Sequence, residues 1–308
     1  MKKGFTLVEL IGVIVILGVL AAFSVPALTK TLKKSADKEY EEFVKNITIA
    51  AENYYHNEIG GTVVTREFIS VKTLVDNGYL KKTVNPLTKT EVDENATVVA
   101  YKDKDGVERF DFADLDVTTD GYVKSGLVLL YDGYTAPDNG LWHDLSGNGN
   151  DASINGATFK DIYYELDGVN DYISRAVVIN GNYGTIEICS EFISGDTILN
   201  FDKGAIYNAN VVKGTSSNFN GNSYFATRGL RYSSSSYTAF MNGKLSSPVS
   251  FTDTNNGSFI SIGSSSATGA SNVSKQKVYS VRVYNKALTT DELVRNYTID
   301  RYRFGVGE

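Results

Sequence analysis

Three oxygen-bearing side chains at alternate positions, Asp144, Ser146 and Asn148, precede Gly149 and read as a loop able to hold a hard cation such as calcium. The twelfth position of that loop is Asn155 rather than the glutamate of an EF-hand, and tight turns want the same Asp, Asn and Gly for backbone reasons. A calcium site and plain turn chemistry therefore both stay open there. A second residue that demands an explanation is Glu9, the one charge between Phe5 and Val25. A carboxylate in an apolar run costs about 2.5–3.5 kcal/mol at mid-membrane and is usually there for a partner. Other reactive groups are scarce. The single cysteine, Cys189, has no disulfide partner and lies in the strand-like run Thr185–Cys189, where a buried structural thiol is expected. Two histidines, His56 and His143, leave little for a zinc site or a His-based triad. A net charge of −6 across 308 residues offers no basic groove for nucleic acid. This inventory predicts a protein that is not an enzyme.

The element that carries Glu9 is the run Phe5–Val25, 21 residues that would make roughly 31 Å of helix, about a bilayer core. Lys2 and Lys3 precede it, and Lys30, Lys33 and Lys34 follow, so the charge rule leaves its orientation open. A secretory signal cleaved near Ala22-Phe23-Ser24 and a plain anchor would share this pattern, but both leave Glu9 unexplained.

The segment Lys2-Lys3-Gly4-Phe5-Thr6-Leu7-Val8-Glu9-Leu10 resembles the class III signal of type IV pilins and pseudopilins. The resemblance implies that a prepilin peptidase cuts after Gly4 and methylates Phe5. It implies that Glu9 pairs with the N-terminal amine of a neighbouring subunit, and that Pro26 marks where the helix leaves the membrane. Such a pair is physically sensible, because amine and carboxylate offset each other's desolvation in a water-poor bundle. Loss of residues 1–4 removes two lysines and leaves a net charge of −8.

Beyond the membrane segment, Leu32, Ala36, Tyr40, Phe43, Ile47, Ala50 and Tyr54 recur in steps of three and four and form one apolar stripe. The organisation expected is a leader over 1–4, a transmembrane and filament-core helix over 5–28, and its amphipathic continuation over 29–57. A small globular part over 58–120 supplies the stripe's partner. There Phe68–Val75 reads as a short helix stopped by Gly78, and Thr97–Tyr101 with Val107–Phe112 reads as a hairpin turning at Asp105-Gly106. Asp103 and Asp105 are turn residues before they are metal ligands. A long helix on a small antiparallel sheet also resembles pilin headgroups, particularly those of Gram-positive type IV and competence systems.

Near Thr118–Gly121 the composition shifts. Residues 125–308 carry 14 basic and 17 acidic side chains, against 16 and 19 in the shorter stretch before them. Short apolar runs now alternate with Gly, Asn and Ser turns, the pattern of a sandwich or jelly roll. Gly126-Leu127-Val128, Asp144-Leu145-Ser146-Gly147-Asn148-Gly149-Asn150, Asp167-Gly168-Val169-Asn170-Asp171-Tyr172 and Asn242-Gly243-Lys244 resemble, in order, motifs of the laminin-G-like, concanavalin-A-like family. Val281–Leu293 resembles its closing strand and short helix, while 185–240 departs from its strand pattern. Independently, Thr289 with Glu292 three residues on makes a capping box. The family resemblance also raises glycoside hydrolysis, for which Glu165 and Asp167 are the nearest acids. Asn170 stands where a further acid would be needed, and the following turn explains Asp167 structurally.

The fold predicted is thus an α+β pilin module, a long N-terminal helix plus a small antiparallel sheet, followed by an all-β jelly-roll sandwich over 125–308. The function predicted is a pilin-like filament subunit, minor or at the tip, that displays a lectin-like module for surface adhesion. The alternative is a pseudopilin of a type II secretion or DNA-uptake machine, and the more distant one an anchored glycan-active enzyme. The partners expected are other pilin subunits through the helix, the prepilin peptidase, the membrane, and an unidentified glycan or protein on the sandwich. The chain is expected to be single-pass in the membrane before assembly and at the cell surface afterwards.

Overall fold

The computed structural model describes residues 7–202, 204–207, 210–213, 215–218, 225–250 and 256–307; the side chains of 18, 20, 21, 23–27, 30, 207, 210–213 and 215–218 also fall outside the description. The chain divides into two compact units, Met1–Leu115 and Asp116–Glu308.

The first unit is built on helix α1, Leu7–Tyr54, which closes in a widened turn over Tyr55–Ile59. Its backbone stays helical through Pro26. The predicted stripe is buried from its middle onward. Phe43, Ile47 and Ala50, joined by Ala51 and Tyr55, pack with Val98, Ala100 and Phe112 of the sheet, whereas Leu32 stays exposed. The sheet has three antiparallel strands, Glu67–Ser70, Thr97–Lys102 and Glu108–Phe112, with the middle one central. The expected helix over Phe68–Val75 is corrected here. Phe68–Ser70 is strand, and helix α2 spans only Val71–Asp76. The switch falls at Ser70, whose extended backbone and hydroxyl, accepting from the Thr73 N–H, make it the N-cap. The hairpin forms as expected, with Lys102 opposite Glu108. Its loop is organised by Asp103, which accepts N–H bonds from Asp105 and Val107 while Gly106 takes φ 77°. The Val107 bond above all holds the Asp103 carboxyl below the usual carboxylate range.

The second unit is a sandwich of two antiparallel sheets, of nine and eight strands among the described residues. Gly184–Gly195 and Ser274–Tyr284 pair at the centre of the first sheet, and Tyr172–Ile179 pairs with Gly257–Ile262 in the second. Strand alternation then sorts the side chains. Ile186, Ile188, Val281 and Val283 join the core between the sheets, around fully buried Trp142, which stacks with Tyr131 and donates its indole N–H to the Asp132 carbonyl. The intervening Glu187 and Arg282 belong to the opposite face. That face is covered by helix α3, Thr290–Phe304, so the unit is a sandwich with one long helix laid on it. The capping box at Thr289 and Glu292 is present, and Gly305, at φ 80°, ends the helix.

The expected joint at 121–124 is also corrected. Residues from Asp116 belong to the second unit. Tyr122 is buried and donates to Asp300 at 2.7 Å, Val123 N–H donates to Asn296 Oδ1 at 3.1 Å, and Arg295 and Arg303 donate to the Gly121 and Val117 carbonyls.

Candidate functional site

The N-terminal site rests on an apolar helix. From Leu7 to Val19 the described apolar side chains of α1 are half to three-quarters exposed, Leu7 at 75% and Val13 at 48%. None joins the core of the first unit. Glu9 lies on this exposed stretch, while Gly4 and Phe5, the expected cleavage and methylation positions, lie outside the described residues, as does the Pro26 side chain. Among the described residues no helix is long and apolar enough to cross a membrane. Phe5, Thr6 and several side chains of Phe5–Val25 are not among them, so the sequence of that run remains the argument for a membrane segment.

The Asp144 loop is held together by its own hydrogen bonds. Asp144 Oδ1 accepts from the Leu130 and Ser146 N–H groups, both at 2.9 Å, and Oδ2 accepts from the Ser146 hydroxyl and the Asn150 N–H. Asn148 Nδ2 donates to the Leu127 and Val128 carbonyls at 3.0 Å. Asp144, Ser146 and Asn148 thus meet in one network that ties the loop to the strand Leu127–Asp132. Among the described residues no group of three or more His, Cys, Asp or Glu side chains is placed to hold a metal. Beside this loop His143 sits between Asp151, 3.2 Å from Nδ1, and Asp138, 3.8 Å from Nε2. Asp151 is held below the usual carboxylate range, chiefly by the N–H of Asp144.

Glu165 and Asp167 lie two apart on the strand Tyr164–Asp167, as expected. Glu165 lies 4.0 Å from Lys160, and Asp167 accepts from the Val169 and Asn170 N–H groups. The Val169 bond keeps the Asp167 carboxyl low, opposite to what a general acid needs. Cys189 is fully buried, and burial pushes its thiol up.

A buried polar cluster under α3 escaped the sequence reading. Arg282, wholly buried, donates Nε to Glu187 at 2.8 Å and its two terminal nitrogens to Asp300 at 2.9 and 2.6 Å. Asp300 also accepts from Tyr122, Ser280 and Thr227, and Asn296 Nδ2 bridges Glu187 and the Tyr284 hydroxyl. Arg303 donates to both oxygens of Asp132. A signal existed in the helix. Asn296, Asp300 and Arg303 fall at steps of four and three from one another and share the face of Leu293 and Phe304.

Residues 1–25 match the family model described as the prokaryotic N-terminal methylation motif. The N-terminus is therefore of the type IV pilin kind. No curated protein matches the chain. Among solved structures it is similar to the sialidase of Trypanosoma rangeli in complex with sialic acid, at 13% identity and a TM-score of 0.49, covering 70% of this chain and 44% of that one. It is also similar to the binding domain of botulinum neurotoxin serotype D, at 12% identity and a TM-score of 0.44, covering 57% and 52%. The chain thus spans less than half the length of the sialidase chain, and neither likeness carries an argument about ligand or activity.

Proposed function

We propose that this chain is a minor or tip subunit of a type IV pilus-like filament and displays its second unit as a laminin-G-like, non-enzymatic binding module at the cell surface. The observation that carries the reading is the methylation motif over residues 1–25, which leads directly into a helix with an exposed apolar half. A helix apolar all round belongs in a membrane or in a bundle of its own kind, and α1 offers that surface before and after assembly. Peptidase cleavage after Gly4 creates the Phe5 amine, and Glu9 of the next subunit receives it. The low carboxyl of Asp167 and the inert thiol of Cys189 support a binding role over a catalytic one.

The test is processing together with assembly. Mass spectrometry of the mature chain should find methylated Phe5 at its start. Glu9→Ala should leave both units folded and the chain inserted, yet reduce its incorporation into sheared filaments severalfold. A mature terminus after Ala22 or Ser24, or unchanged incorporation of the variant, would overturn the reading.

A further inference from the structure

One cavity of the second unit is walled by carboxamides and contains no charged side chain. It is an open hollow of about 400 Å³ that gathers Asn148, Asn150, Asn180, Asn256 and Asn285 from four separate loops. The remaining wall is aliphatic, including Val178, which is 69% exposed.

Four of these amides are held at one end and uncommitted at the other. Asn148 Nδ2 donates to the carbonyls of Leu127 and Val128, and Asn150 Nδ2 donates to that of Val128 at 2.9 Å. Their Oδ1 atoms have no hydrogen bond among the described residues. Asn180 Oδ1 accepts from the Asn182 N–H at 2.8 Å, and Asn256 Oδ1 accepts from the Gly181 N–H at 2.9 Å. Their Nδ2 groups are uncommitted in the same sense. Because a carbonyl partner demands the NH₂ end and an N–H partner the oxygen end, the backbone fixes which end of each amide is left over. Two acceptors and two donors are therefore left over on residues that line one neutral hollow of small-ligand size.

Hydroxyl groups are the complement to such a set, since each both donates and accepts. An anion or cation would find no counter-charge among the lining residues, and a flat aromatic ligand would find no ring to stack on. We infer that this asparagine cavity is a binding site for a neutral polyhydroxylated ligand, a sugar ring bearing neither carboxylate nor amine. The inference rests on the reading of the second unit as a binding module and names that module's ligand class.

The test uses the full-length chain in detergent, with lactose, galactose, glucose and N-acetylglucosamine as neutral probes and N-acetylneuraminic acid as the anionic one. Saturation-transfer NMR should detect at least one neutral sugar. The double variant Asn180→Asp/Asn256→Asp keeps the oxygens that hold Asn182 and Gly181 but replaces both free donors with negative oxygens. It should melt as the parent does and bind the neutral sugar at least tenfold more weakly. Binding of N-acetylneuraminic acid alone, no binding of any probe, or neutral-sugar binding untouched by the double variant would overturn the inference. Adhesion to mucin-coated glass separates this failure from that of the wider reading. If cells carrying the full chain adhere and cells carrying a chain without residues 116–308 do not, the module binds and only the cavity was misassigned. Equal adhesion would sink the binding-module reading itself.

Discussion

The two long helices treat polarity in opposite ways. In α1 the described apolar side chains from Leu7 to Val19 are exposed, whereas α3 is rich in charge yet buries Asn296, Asp300 and Arg303. Hydropathy alone would reverse these environments. What decides the matter is the supply of partners. The charges of α3 meet Arg282, Glu187 and Asp132 at hydrogen-bonding distance, so leaving water is compensated. The described apolar side chains near Leu10 are exposed and lie outside the core of their own unit, and a membrane or a neighbouring chain is the partner proposed for them.

The sharpest way to break this contrast is to remove one member of the buried cluster. Arg282→Met should strand Glu187 and Asp300 as buried carboxyls and destabilise the second unit by about 3–5 kcal/mol, read as a lowered denaturant midpoint. Leu10→Ala, on the exposed half of α1, should leave the midpoint of the first unit where it was. Equal effects would mean that exposure does not distinguish the helices.

Thr289→Ala should cost about 1 kcal/mol through loss of the capping box, measured by thermal melting. A smaller loss should appear on acidification. Asp103, Asp151 and Asp167 have folded carboxyl values below their unfolded ones, so their contribution is present above about pH 4 and disappears as pH falls through the folded values. Denaturant titrations at stepwise lower pH should show that decline, and asparagine at the three positions should flatten it. The smallest effect is expected from a chelator. With both Asp144 oxygens accepting from N–H and hydroxyl donors, EDTA should not move the melting temperature, and a clear drop would decide for the calcium reading of Asp144, Ser146 and Asn148 over turn chemistry.

Much of the architecture was legible in the sequence because it is local. The apolar stripe announced α1, Asp105-Gly106 with its flanking runs announced the hairpin, and Thr289 with Glu292 announced the start of α3. The misread elements depend on distant partners. Phe68–Ser70 becomes strand because Val98 and Val99 lie opposite Ile69 and Phe68, information absent from its own neighbourhood. The joint was placed late because Tyr122 and Val123 look like linker until Asp300 and Asn296, more than 170 residues away, receive them. The asparagine cavity was invisible for the same reason. Of its members Asn148, Asn150 and Asn285 fall within motifs that stood out, but nothing along the chain says that Asn180 and Asn256 converge with them.

The attachment of Asp116–Val123 to α3 has a mechanical meaning. The chain passes from the first unit to the second at Leu115, so a pull transmitted along the backbone reaches the lead-in stretch before it reaches any strand of the sandwich. That stretch is fastened by Tyr122 to Asp300, by Val123 to Asn296, and through its carbonyls to Arg295 and Arg303. These bonds join one short stretch of chain to residues Arg295 to Arg303 along a single helix. Tension is therefore borne by the C-terminal helix and its buried ions, and Leu127–Asp132 is shielded from being peeled off the sheet until that anchorage fails.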